Sequence, residues 1–158
     1  MATVKALYGS NNQAITCTIT SLTSGSQRQS TVVVNTANLY LDVLVFIKAK
    51  TAASSTNAAG TIKVYAYGSV DGGSTYSDTV TGTDGAVTLT VPPNCRLIGV
   101  INANANSTTY QGGPWSVAAA FGGQLPDHWG VVVENDTGAT LDASVGSLYF
   151  QGVQATVA

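Results

Sequence analysis

The chain has 158 residues, of which 44% are hydrophobic and only 9% charged, with a formal net charge of −2; an ordinary soluble domain carries roughly 25% charge. Apolar content with little charge excludes a disordered chain, which needs the opposite balance, and the length is that of one domain, 1–158, able to bury a real core. The basic residues Lys5, Arg28, Lys48, Lys50, Lys63 and Arg96 are scattered, so no stripe neutralises phosphates and nucleic acid is excluded as a partner.

From the start of the chain, MATVKALYGSNNQ (1–13) shows no core pattern and is predicted to be an extended arm that reaches a neighbour. Ile15 to Thr20 alternates cleanly, with Ile15, Cys17 and Ile19 on one face and three threonines on the other; period two with β-branched residues predicts a strand. A second strand is predicted over Ser30–Val34. Leu39–Lys50 is longer and apolar on both faces at its centre: Leu41, Val43, Val45 and Ile47 oppose Tyr40, Leu44 and Phe46. That pattern predicts a central strand covered on both sides. The small-residue loop 51–60 then joins it to Thr61–Ser69, and the two strands are expected to pair antiparallel.

Residues 70–85 carry turn chemistry, with Asp-Gly-Gly and Asp-Gly. Strands are expected at 86–91, 96–103, 115–121, 130–135 and 148–158, each bounded by Gly, Pro, Asn or Asp. In 116–129 the three alanines favour helix, but Gly122, Gly123 and Pro126 stop it, and a strand leading into a loop is preferred. Nowhere is a helix longer than about one turn expected. About eight to ten short strands with Gly/Asn/Asp turns predict an all-β antiparallel sandwich. The long loops fit the crossings of a Greek-key or jelly-roll fold.

Chemistry has few places to sit. His128 is the single histidine, and nucleophilic catalysis would need it held by an acid and in reach of a hydroxyl or thiol; its neighbour Asp127 is poorly placed, since adjacent side chains on extended backbone point apart. Asp71, Asp78 and Asp84 crowd a loop with Gly72 and Gly73, but their spacing fits no EF-hand, and Asp in a turn usually caps backbone groups. Glu134 could pair with Asp136 or Asp142 for glycoside chemistry, with nothing to prefer that over a solvated strand end. Cys17 and Cys95 match no metal or redox spacing and read as isolated thiols, though a bridge between them stays open. No cofactor motif is present. Catalytic, cofactor and metal residues are therefore expected to be none.

The low charge predicts a surface engaged by partners. Tyr65 and Tyr67, on one face of their strand, and Trp115 and Trp129 are the candidate interface residues, with Tyr76 and Tyr110 as further aromatics. Interface or packing is favoured over sugar stacking, because tyrosine is enriched at protein contacts. MATVKALYGS lacks a basic and apolar leader pattern, and no stretch reaches the length of a transmembrane helix. These features predict synthesis and folding in a cytosol and no membrane partner.

The segments TIKVYAYGSVDGGSTYSDTVTGTDGAVTLTVPPNCRLIGVIN, GPWSVAAAFGGQLPDHWGVVVENDTGATLDAS and YFQGVQATVA resemble small virion-associated proteins of tailed bacteriophages. The resemblance runs from about Leu39 to the end and rests on strands and turns without a catalytic signature. It implies a non-enzymatic structural role in a bacterial host's phage particle. Such small β-sandwiches resemble capsid decoration (cement) proteins, which coat the mature shell and often form trimers. The implied partners are the major capsid protein and copies of this chain, and the implied location is the capsid surface. A neck, tail or fibre component, and a carbohydrate-binding module using Tyr65, Tyr67 and Trp115, are the competing expectations.

Overall fold

The computed structural model describes residues 3–53 and 55–157. Met1 and Ala2 of the expected arm, Ser54 of the expected loop and Ala158 lie outside them. Two antiparallel sheets pack face to face. Sheet A is built from β1 (Val4–Tyr8), β2 (Gln13–Ile15), β5 (Asp42–Thr51), β9 (Thr109–Ser116) and β11 (Leu141–Val157). Sheet B holds β3 (Ser26–Gln29), β4 (Val33–Val34), β6 (Thr61–Ser69), β7 (Gly85–Val87), β8 (Arg96–Asn102) and β10 (His128–Asp136).

The ladders have the order of a jelly roll. β2 pairs with β11, β3 and β4 with β10, β5 with β9, and β6 with β8. A long antiparallel ribbon folded over on itself pairs first with last in this way. β11 against β5 and β10 against β6 then join the ribbon into two sheets. The core lies between them. Val43, Val45 and Ile47 of β5 face Ile62, Val64 and Ala66 of β6, with Trp129, Val131 and Val133 of β10 and Leu148 and Phe150 of β11. Trp129 is fully buried and meets Phe150 edge-on at 5.3 Å between ring centroids; its indole Nε1 finds no acceptor among the described residues.

Several expectations are corrected. β5 and β6 do not pair; they lie on opposite sheets. Hairpins take loops of roughly 2–5 residues, whereas 52–60 is long enough to cross the roughly 10 Å between stacked sheets. Gly60 lets it make the crossing, because a Cβ there would sit 2.7 Å from the Ala103 carbonyl oxygen. The alternation of 15–20 is real in burial, with Ile15, Cys17 and Ile19 inside, yet the ladder stops at Ile15. This stretch moves from sheet A to sheet B, so its backbone groups bind elsewhere: Thr18 donates to Asp84 at 3.1 Å and Thr31 to Thr16 at 2.7 Å. In 115–121 the strand ends at Ser116, and Ala118–Phe121 is a 3-10 turn. β9 itself begins earlier than predicted, across Gly112, Gly113 and Pro114, which a propensity reading discounts.

The N-terminal arm is an edge strand. β1 runs antiparallel to the end of β11, Val4 opposite Val157 and Tyr8 opposite Val153, and all five of its residues are exposed.

Candidate interaction surface

Alternate residues of a strand point to opposite faces, so β5 cannot bury both of its apolar rows in one interface. Val43, Val45 and Ile47 fill the core, while Leu44 and Phe46 point outward and remain half-buried. The register sets Gln151 opposite Leu44 and Tyr149 opposite Phe46. Further along β11, Val153 and Val157 stand beside Tyr8 and Val4. An apolar band therefore crosses the outer face of sheet A. At its centre lies an open hollow of about 440 Å³, walled by Leu44, Phe46, Pro114 and Tyr149, with Asn11, Asn12 and Gln151 at the rim. Gln151 Nε2 donates to the Gly9 carbonyl at 3.1 Å and to Asn11 Oδ1, which ties the 9–12 turn to this rim. Asp42, on the same strand, is committed to the N–H groups of Val43 and Ala118 at 2.7 and 2.8 Å. A face of aromatic and aliphatic side chains rimmed by carboxamides has the make-up of a protein contact surface.

The outer face of sheet B is covered over β6 and β10, while Leu97 and Val100 of β8, opposite Tyr65 and Lys63, stay exposed at its edge. Tyr65, Tyr67 and Val132 form a second core with Val80, Leu89 and Cys95, roofed by residues 70–95. Tyr67 is fully buried; its hydroxyl donates to the Ser30 carbonyl at 2.8 Å and its ring meets Tyr76 edge-on at 5.2 Å. Burial pushes the Tyr67 phenol well above its ordinary range. Three of the four expected interface aromatics, Tyr65, Tyr67 and Trp129, are therefore interior in this chain. A two-sided apolar pattern says that a second face is covered, without saying whether by a loop or by a partner. Trp115 is half-buried and plugs the side of the sandwich between β9 and β8: a Cβ on Gly99 would lie 2.2 Å from its ring.

The roof is pinned by the three loop aspartates, each separately. Asp71 accepts from Ser69 Oγ and from the N–H groups of Ser74 and Thr75. Asp78 accepts from Thr90, Asn94 and Cys95. Asp84 binds Arg28 Nε at 2.7 Å and the Thr18 hydroxyl at 2.6 Å. Hydrogen bonds from Ser69 and Thr75 hold Asp71 well below the usual carboxylate range. At Asp78 and Asp84 burial works in the opposite direction, but the donors outweigh it and both carboxyls are lowered. The carboxylates that looked crowded in sequence thus serve different backbone groups, and among the described residues no three His, Cys, Asp or Glu side chains converge.

His128 opens β10, opposite Ser69 and Val34. Asp127 Oδ1 lies 3.3 Å from its Nδ1 without hydrogen-bond geometry, and that nitrogen is buried with no partner among the described residues. Glu134 is engaged by Lys63 Nζ at 2.7 Å and Gln27 Nε2 at 3.0 Å, and Asp136 reaches the same lysine at 3.3 Å. Asp142 instead pairs with Lys50 at 3.1 Å. Both cysteines are free and buried, in different cores. The outer face of sheet A was missed in the sequence although its signal stood there: the two apolar rows of 39–50 with nothing nearby to cover one of them. The chain matches no family model and no curated protein.

Proposed function

We propose that this protein is a non-enzymatic structural protein of a bacteriophage virion, a decoration or cement protein that binds the outer surface of the mature capsid. The observation that carries the reading is the open apolar face of sheet A, set on a sandwich whose other outer face is roofed over its two central strands β6 and β10. A rigid body with one charge-poor face suits lattice docking, because little ordering entropy opposes its binding. A protein that binds only the assembled shell stabilises it by mass action, and repetition over a symmetric lattice multiplies weak contacts. The partners are the major shell protein and further copies of this chain, clustered as the resemblance implies in trimers. Jelly rolls serve viral capsid and lectin domains alike, so the fold does not by itself choose the role. A sugar-binding platform on Tyr65 and Tyr67 loses its footing, since both rings lie under the roof.

The test is the copy number of this chain in purified particles, by quantitative mass spectrometry against the major shell protein. Near-equal numbers, with particles lacking the chain losing their contents at lower temperature, support decoration. A number many-fold lower moves the protein to the neck, tail or fibre, and absence from particles removes the virion reading altogether.

A further inference from the structure

The free edge of sheet A has a self-complementary geometry. Gly9 N–H donates to the Gly152 carbonyl at 2.9 Å, which makes 9 and 152 a hydrogen-bonded pair of the β1–β11 register. Such pairs alternate along an antiparallel ladder. Leu7 and Lys5 therefore exchange bonds with Gln154 and Thr156, while Val4, Ala6 and Tyr8 turn their N–H and C=O groups away from β11. The neighbouring Val153 confirms the phase, since its carbonyl accepts from Leu41 on the opposite side, at 2.8 Å. The outward groups of residues 4, 6 and 8 have no partner among the described residues, and these residues stand at a fully exposed edge.

We infer that β1 pairs antiparallel with β1 of a second copy of this chain, about a two-fold axis through Ala6, to form one continuous sheet across two protomers. In that register Val4 faces Tyr8 of the other copy, Ala6 faces Ala6 and Tyr8 faces Val4. Every outward group then meets its complement, giving about six inter-chain hydrogen bonds. The charge pattern selects the same register. Lys5 falls opposite Leu7, whereas an axis through Lys5 would set two lysines face to face, which is unfavourable. An axis through Leu7 would leave Val4 unpaired.

Other edges carry the devices that discourage such pairing. β9 is interrupted by Gly112, Gly113 and Pro114, β7 has three residues, and β8 is bulged against β6 and begins with Arg96. β1 has no proline, no bulge and one lysine. Its apolar side chains are open to a partner: Val4 is 70% exposed and Tyr8 58%, Leu7 is exposed between them, and Val157, opposite Val4, is 69% exposed. Pairing would bring Val4 and Tyr8 of the two copies together on the outer face. The contact is two-fold and independent of the decoration reading; it neither needs nor forbids three-fold clustering.

Sedimentation and light scattering of the purified full chain test it, with three variants. Ala6→Pro removes an outward N–H while leaving the β11 ladder intact, and proline is tolerated at such an edge position. Ala6→Lys and Ala6→Glu each place like charges on the axis. The expected result is a two-fold association of the unaltered chain that is lost in all three variants. Their circular dichroism should match that of the unaltered chain. Mixing Ala6→Lys with Ala6→Glu should restore a dimer containing one of each. A chain that is monomeric at its solubility limit overturns the inference. So does a two-fold association that survives Ala6→Pro, or a Lys/Glu mixture that does not regain it, and if the proline variant misfolds the charge pair decides alone.

Discussion

Gly130→Ala separates two opposed effects by sign. Gly130 lies on β10 directly opposite Tyr67, and a Cβ there would stand 2.3 Å from both Cζ and Oη of that ring. Without a clash, alanine would stabilise the protein by about 0.4–1 kcal/mol through the unfolded chain. The ring cannot swing away, because it is fully buried, bonded to the Ser30 carbonyl at 2.8 Å and packed on Tyr76. Overpacking costs about 1–3 kcal/mol, and a buried carbonyl stripped of its donor costs about 1–3 kcal/mol more. After the gain from the unfolded chain, a net loss of roughly 1–5 kcal/mol is expected, a large share of a typical stability of about 5–15 kcal/mol. Urea titrations read it as a lower midpoint with an unchanged slope. The same substitution in a Tyr67→Leu background should be neutral or stabilise by up to about 1 kcal/mol, since the obstructing ring is gone. A Gly130→Ala protein as stable as its parent, or an equal penalty in both backgrounds, would refute the account of how sheet B is roofed.

Asp78→Ala should leave the sandwich folded and loosen the roof. Amide exchange at Thr90, Asn94 and Cys95 should quicken roughly ten- to a hundredfold, and equal acceleration in β5 or β10 would contradict a local role. Burial pushes the Cys17 and Cys95 thiols up to about 12, helped at Cys17 by Asp84 against Arg28 and at Cys95 by Asp78. Neither should react with a thiol reagent at pH 8 until the chain unfolds, and fast labelling of either in the native protein would show its burial to be wrong. Asp71, Asp78, Asp84 and Asp142 are all lowered, the last by Ser144 and Lys50. A lowered carboxyl contributes stability that is complete above the unfolded value of about 3.9. That contribution is lost as pH falls through the lower folded values. The urea midpoint should hold from neutral pH down to about 4 and drop below it; a fall already complete between pH 7 and 5 would show that these carboxylates do not set the acid limit.

Alternation and turn chemistry are local properties, and local reading served where neighbours along the chain decide the outcome. Thr61–Ser69 forms β6 at its predicted bounds, the Ile15, Cys17 and Ile19 row is interior, and 118–121 makes no more than one helical turn. β9 was placed late, because its two glycines and proline speak against a strand that tertiary pairing with β5 imposes. The candidate site was half legible. Two apolar rows could be read from 39–50 and an aromatic face from 61–69, with interface and packing both open for Tyr65 and Tyr67; which of them a loop covers could not be read.

The amino-acid sequence by itself determined that this protein is an antiparallel β-sandwich with a charge-poor exterior, because period-two patterning and Gly, Asp and Asn turns act within a few residues. Only the tertiary structure decided which rows of side chains stay open. Tyr65 and Tyr67 are hidden by a roof whose aspartates bind partners far along the chain, such as Thr18 and Arg28 for Asp84. Leu44, Phe46 and Tyr149 remain outside, where β5, β9 and β11 meet. The free edge of β1 likewise depends on the hydrogen-bond phase of a ladder that joins residue 4 to residue 157, a pairing set by the closure of the whole fold.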